Sequence, residues 1–247
     1  MSSALSVSAL AKDYGELHAL REVSFELAPG ELLAVVGPNG AGKTTLLSII
    51  AGSQRQSSGT VLVHAGVVGW APQRTAVYTK LSVAENLELF ARLERVADPH
   101  AAVQRMLAQT GLVERAREPV ANLSGGNRQR VNVALALIAE PPVLALDEPT
   151  ASLDPGQRER LWEFIEGLVR GGTAVVYSTH NVSEAGRHAD RVLVLSEGRL
   201  LFDGTPAALT EAAPVGADGD LERVLVRFLD ARAEPEREQE RDREAPA

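Results

Sequence analysis

The segment Gly37-Pro38-Asn39-Gly40-Ala41-Gly42-Lys43-Thr44 places glycines, a lysine and a hydroxyl at the spacing G-x-x-x-x-G-K-[ST]. That combination suits the holding of a polyphosphate. Glycines let backbone amides turn toward phosphate oxygens with no side chain intervening. A helix beginning at Lys43 would aim free N–H groups and its positive dipole end at the same anion. Lys43 would bridge the β- and γ-phosphates, and the Thr44 hydroxyl, followed by Thr45, would ligate a phosphate-bound Mg²⁺. A second segment, Val143-Leu144-Ala145-Leu146-Asp147-Glu148, is an apolar run ending in two carboxylates. As a strand it sets Asp147 at the carboxyl edge of a sheet, beside the glycine loop, where it can hold Mg²⁺ through water. Glu148, one residue on, is placed to polarise an attacking water as general base. Lysine is otherwise confined to Lys12 and Lys80 while arginine is abundant, which singles out Lys43.

The elements that must position these residues follow from patterning. Leu5, Val7 and Ala9 share one parity, as do Val23, Phe25 and Leu27, so half-buried strands are expected there. The apolar run 32–36 reads as a strand buried on both faces and leads straight into the glycine loop. A helix is expected over 43–51, closed by Gly52. Short strands are expected at 60–63 and 67–71. Ser82 with Glu85 forms a capping box for a helix over 82–96, and Asp98-Pro99 opens a second that ends near Gly111. A third helix runs from 126 to 139. Beyond it, strands at 143–146, 173–177 and 191–195 alternate with helices at 155–169 and 182–189, the beat of a mostly parallel sheet with helices on both faces. Gly198 marks a hairpin between 192–195 and 200–202. Leu221, Val224, Leu225, Phe228 and Leu229 have helical spacing. The domain itself is expected over 1–220, with a helical subdomain about 80–140, an amphipathic helix over 221–231 and a charged, disordered tail over 232–247. The last eighteen residues hold seven acids and four arginines.

Composition removes several classes. The 247 residues carry a formal charge of −8, which argues against a nucleic-acid partner. There is no cysteine, so disulfide scaffolds, cysteine metal sites and thiol nucleophiles are excluded. No uncharged apolar run approaches the roughly 18 residues of a membrane helix. The N-terminal residues show no basic and then apolar signal pattern, and an intracellular α/β protein is expected. The guanine-selecting pattern N-K-x-D does not occur, which weakens a GTPase reading.

A third segment, Leu123-Ser124-Gly125-Gly126-Asn127-Arg128-Gln129-Arg130, resembles the ABC signature L-S-G-G-Q. With the glycine loop and 144–148 in the same order, the chain is similar over about 5–210 to the nucleotide-binding subunit of an ABC transporter. Ser-Gly-Gly at a helix N-terminus is itself a second anion site, one more than a single triphosphate needs. The resemblance implies a P-loop core with a mostly parallel sheet, an N-terminal antiparallel β subdomain and an inserted helical subdomain. It implies ATP and Mg²⁺ as ligands, and hydrolysis of ATP coupled to transport. Ser124, Gly125, Gly126 and Asn127 would then contact the γ-phosphate of ATP held by an opposed protomer, so that two chains sandwich two nucleotides head to tail. Tyr14 resembles the aromatic that stacks on adenine. Gln73, in Trp70-Ala71-Pro72-Gln73, resembles the glutamine that reaches Mg²⁺ and the attacking water. Ala151-Ser152-Leu153-Asp154 resembles the loop, with Ser152 and Asp154, that links the two sites across the dimer. His180 resembles the histidine that hydrogen-bonds the γ-phosphate, and its place after a strand agrees with where α/β ligand sites collect.

Two departures stand out. Asn127 replaces the signature glutamine and is one methylene shorter. The stretch between Gly52 and Gln73 is short, which points to a trimmed antiparallel subdomain. The implied partners are a separately encoded integral-membrane permease, contacted through 82–111, and a second ATPase subunit, as a homodimer or a heterodimer. The chain would then sit on the cytoplasmic face of the membrane through that permease. The alternative is a soluble, non-transport ABC ATPase. His18, His64, His100 and His188 carry no site context and read as surface or packing residues.

Overall fold

A computed structural model describes residues 3–64, 66–151, 153–213 and 221–244. The strands are β1 (Leu5–Tyr14), β2 (Leu17–Leu27), β3 (Leu32–Val36), β4 (Ser58–Val63), β5 (Val68–Ala71), β6 (Val143–Asp147), β7 (Ala174–Ser178), β8 (Arg191–Ser196) and β9 (Arg199–Gly204). The helices are α1 (Lys43–Ile50), α2 (Val83–Leu93), α3 (Pro99–Gln109), α4 (Gly125–Leu137), α5 (Pro155–Arg170), α6 (Val182–His188), α7 (Pro206–Ala212) and α8 (Leu221–Glu244).

The uninterrupted apolar runs of β3, β6 and β7 are buried along their whole length, because both faces of their sheet are covered. That sheet has the order β5-β6-β7-β3-β8-β9, parallel from β5 to β8 with β9 returning antiparallel. Strand parity divides the core in two. Leu33, Val35, Ala145, Val176 and Leu193 pack with α1 and the antiparallel sheet. Leu32, Ala34, Val36, Leu144, Leu146, Val175 and Tyr177 pack with the other helices. The antiparallel sheet has the order β2-β1-β4. Because β6, β7 and β3 are adjacent and parallel, their carboxyl ends share one edge, where α/β ligand sites form.

The helices between β5 and β6 start where their caps dictate. Ser82 and Glu85 form the reciprocal capping box of α2. The Asp98 carboxylate accepts from the Ala101 N–H at 3.0 Å, with Pro99 in the first turn of α3. Helix α4 lies directly on β5. A Cβ on Gly69 of β5 would fall 2.2 Å from the Ala136 carbonyl oxygen of α4 and 2.7 Å from Pro141 Cγ.

Four differences from the sequence reading have local causes. Ala9 is exposed and Leu10 buried, because β1 bulges between Val7 and Leu10 against β2 and between Ser8 and Ala11 against β4, and the alternation slips by one. Val67 is exposed and β5 begins at Val68, paired in parallel with β6. Helix α7 was not anticipated, although its start is written in Thr205-Pro206: the Thr205 hydroxyl accepts from the Ala208 N–H. Helix α8 continues to Glu244, where a disordered tail was expected from 232. The Glu, Arg and Gln that make this stretch polar are also strong helix formers. Residues 245–247 of that tail lie outside the described residues.

Gly69→Ala should destabilise the chain by about 1–3 kcal/mol, since the added methyl meets a backbone oxygen that cannot rotate away. Urea unfolding followed by far-ultraviolet circular dichroism checks this, and an unchanged midpoint would contradict the close contact.

Candidate active site

The glycine loop leaves β3 and wraps back to the first turn of α1. Gly37 (φ 151°) and Gly42 (φ 103°) adopt backbone conformations closed to other residues. An added Cβ would lie 2.0 Å from the Leu195 carbonyl oxygen at Gly37 and 2.4 Å from that of Ala19 at Gly42. Helix α1 begins at Gly42 without a side-chain cap, so its leading amides remain with the loop. The buried Lys43 ammonium donates to the carbonyls of Gly37 at 2.7 Å and Pro38 at 3.0 Å. Burial pushes its pKa below the ordinary lysine value, partly offset by the charges of Glu148 and then Asp147. A cleft of about 610 Å³ opens over this loop. Asn39, Gly40, Ala41, Gly42, Lys43, Thr44 and Thr45 form its floor, and Tyr14, Gln73 and Glu148 stand on its walls.

Strand register brings the carboxylates to the loop. Asp147 at the end of β6 pairs with Ser178 at the end of β7, and Ser178 pairs in turn with Val35 of β3. The Asp147 side chain is 1% exposed. Its Oδ1 accepts from the Ser178 hydroxyl at 2.5 Å and from the Thr44 hydroxyl at 3.2 Å. Its Oδ2 is buried with no protein partner. A hydroxyl and a carboxylate with an unpartnered buried oxygen are hard oxygen donors of the kind Mg²⁺ takes.

Glu148 follows at φ 49°, a strained left-handed residue held by its own N–H, which donates to Ser178 Oγ at 3.0 Å. The turn presents the carboxylate to two further groups. His180 Nδ1 lies 2.9 Å from Glu148 Oε2, and Gln73 Nε2 donates to the same oxygen at 3.3 Å. Three residues separated by up to 107 positions in sequence thus meet at one carboxylate oxygen, on the wall of the phosphate cleft. Tyr14 closes another wall, its ring 46% exposed, with Lys12 Nζ 4.9 Å from the ring centroid and Gln54 Nε2 bonded to its hydroxyl.

The signature residues stand apart, and none of them lines this cleft. Ser124 caps α4, its hydroxyl accepting from the Asn127 N–H at 3.3 Å. Ser124 and Gly125 are exposed, whereas Gly126 is buried against Gln157 of α5. Asp154 caps α5, accepting from the Gln157 N–H at 2.8 Å. Ser152 lies outside the described residues. Sequence reasoning missed Ser178, whose role comes from register rather than from a motif. It also gave no site role to His18, Arg21 and Glu197, which line the cleft. His188, by contrast, stacks on Trp162 at 4.5 Å as a packing residue.

The sequence model described as ABC transporter matches residues 20–151. The chain belongs to the ABC transporter family. It is 37% identical over 229 residues to the daunorubicin resistance ATP-binding protein DrrA3 of Streptomyces coeruleorubidus, covering 87% of this chain and 72% of that protein. It is 36% identical over 229 residues to the Nod factor export ATP-binding protein I of Paraburkholderia xenovorans, covering 87% and 75% respectively. An ATP-binding subunit of an ABC transporter superposes with a TM-score of 0.82 at 26% identity, over 92% of this chain and 100% of that one. A dimeric ATP-binding cassette in a post-hydrolysis state with ADP and Pi superposes at 0.74 and 26% identity, over 81% and 98%. The chain is an ABC ATPase, with the fold and the ATP-hydrolysing activity of that family.

Lys43→Ala should lower ATP hydrolysis by about a hundredfold or more, because it removes the one cation buried in the phosphate floor. Phosphate release under saturating Mg-ATP reads this directly, and near-normal turnover would contradict the assignment of the loop.

Proposed function

We propose that this chain is the ATP-hydrolysing subunit of an exporter and that it works as a head-to-tail dimer beneath a separate integral-membrane permease. The observation that carries the reading is the meeting of Gln73, Glu148 and His180 at one carboxylate oxygen beside the Lys43 loop. The direction of transport is taken from the named relatives, whose printed functions are drug resistance and Nod factor export.

In this reading Tyr14 stacks on adenine, and the amides of 37–45 with Lys43 hold the β- and γ-phosphates. Thr44, Asp147 and Gln73 would hold Mg²⁺, which would neutralise phosphate charge. Glu148 accepts a proton from the attacking water, and its strained backbone and two hydrogen-bonding neighbours fix the direction from which it does so. His180, beside Glu148, would hydrogen-bond the γ-phosphate. The N-terminus of α4, with Ser124 and Gly125 exposed beside Gly126 and Asn127, would face the nucleotide of the opposed protomer, and Ser152 and Asp154 would link the two sites. ATP therefore bridges two chains, and loss of the γ-phosphate releases them. A ligand shifts such an equilibrium only through its preference for one state, and the bridging phosphate supplies that preference.

A membrane partner is supported by two observations. Among the described residues no helix is long and apolar enough to cross a membrane. The region after Gln73 carries exposed apolar side chains, Tyr78 at 56% and Leu93 at 63%. The chain would then lie on the cytoplasmic face through that contact.

Glu148→Gln should bind Mg-ATP, hydrolyse it about 10²–10⁴-fold more slowly and accumulate as a closed dimer. Light scattering with and without Mg-ATP reads the mass. A monomer that binds ATP yet never pairs would contradict the homodimer. Recovery of the wild-type chain from cells wholly in the fraction without membranes would favour a non-transport ATPase.

A further inference from the structure

We infer that Asn132 is a positioning residue for ATP hydrolysis, gripping the main chain on both sides of Gln73 and tying it to the helix that carries the signature. Asn132 lies in α4 and is 2% exposed. Its Nδ2 donates to the Pro72 carbonyl at 2.8 Å, and its Oδ1 accepts from the Ala76 N–H at 3.3 Å. One amide thereby satisfies a backbone acceptor just before Gln73 and a backbone donor three residues after it. A buried carboxamide needs both kinds of partner, and here both come from the same loop. The loop, for its part, leaves β5 at Ala71 and is next bridged at Ser82, which pairs with Pro119 just before α2. Asn132 is therefore the hydrogen-bonding template that gives it a fixed shape.

That shape matters because of what Gln73 reaches. Its amide donates to Glu148 Oε2 at 3.3 Å, a span that small movements of the loop would break. The same helix presents Ser124 as its cap, two turns before Asn132, and is held against β5 by the close approach of Gly69 to the Ala136 carbonyl. Helix α4 is thus a rigid piece with the signature at one end and the Gln73 loop clamped to its middle. A displacement of its N-terminus moves the loop with it, because two hydrogen bonds and a backbone contact leave little slack. The consequence is a direct mechanical path from the surface that faces the opposed nucleotide to the group that touches the general base. The inference rests on the reading of Gln73 and Glu148 as hydrolytic residues.

Asn86 supplies the internal control. It is also fully buried, and its side chain bonds the N–H and carbonyl of Tyr78 and the carbonyls of Leu81 and Ser82. It holds the adjoining segment but touches nothing between Pro72 and Ala76. Removal of either asparagine costs stability, and only that of Asn132 should cost catalysis in particular.

The test is a double-mutant cycle in the full chain. Asn132→Ala should lower kcat about tenfold, the scale of a small misplacement of a catalytic group, and leave the Kd for Mg-ATP within about twofold. In a Gln73→Ala background the same substitution should lower kcat no further, because its effect passes through Gln73. Asn86→Ala should lower the melting temperature without the tenfold fall in kcat. Where Asn132→Ala does not fold, Asn132→Ser keeps one hydroxyl that cannot span both bonds, and the same cycle applies. Losses that multiply in the double mutant, or an equal loss of kcat in Asn86→Ala, would overturn the inference and leave the role of Gln73 intact. An unchanged kcat in Gln73→Ala alone would overturn the reading beneath it.

Discussion

The site is organised around a carboxylate buried at the end of a central strand. Asp147 is almost wholly removed from water, and an uncompensated charge in such a place is strongly destabilising. One of its oxygens is satisfied by hydroxyls from two separate elements, Ser178 of β7 and Thr44 of α1. The other has no protein partner. A protein that needed only stability would place an apolar residue here, as it does at the four preceding positions of β6. The arrangement makes sense as a socket for positive charge, half filled by hydroxyl dipoles. The Lys43 ammonium, next to Thr44 in sequence, is desolvated and draws on the negative charges of Glu148 and Asp147. The site therefore keeps unlike charges close but unneutralised, a costly state that a bound polyphosphate and its metal would complete.

How much of this was legible in the sequence depends on how local each determinant is. The glycine loop, the capping box of α2, the Asp98 cap of α3 and the carboxylates ending β6 were legible because the residues that fix each feature sit within eight positions of one another. The parallel sheet was legible from its strand–helix beat. Ser178 was not, although it bonds both Asp147 and the backbone of Glu148. Its importance comes from the pairing of β6 with β7, and a serine at a strand end carries no sign of its neighbour across the sheet. The slip at Ala9 is of the same kind, since a bulge is set by the partner strands and not by the alternation itself. His18, Arg21 and Glu197 enter the cleft from β2 and from the β8–β9 turn, and only the packing of β2 near β9 brings them there.

The departure at Asn127 can be weighed from the geometry. The bond that starts α4 runs from the Asn127 backbone N–H to the Ser124 hydroxyl, and so is indifferent to the side chain at 127. The substitution therefore leaves the start of the helix and the orientation of the leading amides as they would be with glutamine. What changes is the reach of one amide beyond that end, by one methylene. On the proposed reading, the anion site at the signature is set mainly by backbone and cap, and the side chain at 127 adjusts its margin.

The same helix explains why the chain can keep its two anion sites apart and still let one influence the other. The signature lines no part of the Lys43 cleft. Communication must then pass through the protein, and most loops would absorb a small displacement before it reached a catalytic group. Asn132 removes that compliance at the point where it would matter, by bonding the Gln73 loop to the helix rather than to itself. Glu148 is held from the opposite side by Ser178 and approached by His180, both at the end of β7. On the proposed reading, the general base Glu148 stands between the end of β7 and the loop bonded to α4, and the contact from Gln73 to Glu148 spans the gap. At 3.3 Å that contact is long enough to be lost or tightened by a shift of a few tenths of an ångström. Such a hydrogen bond adds little to stability, but on the proposed reading it would let the position of a distant helix end be read at the Glu148 carboxylate.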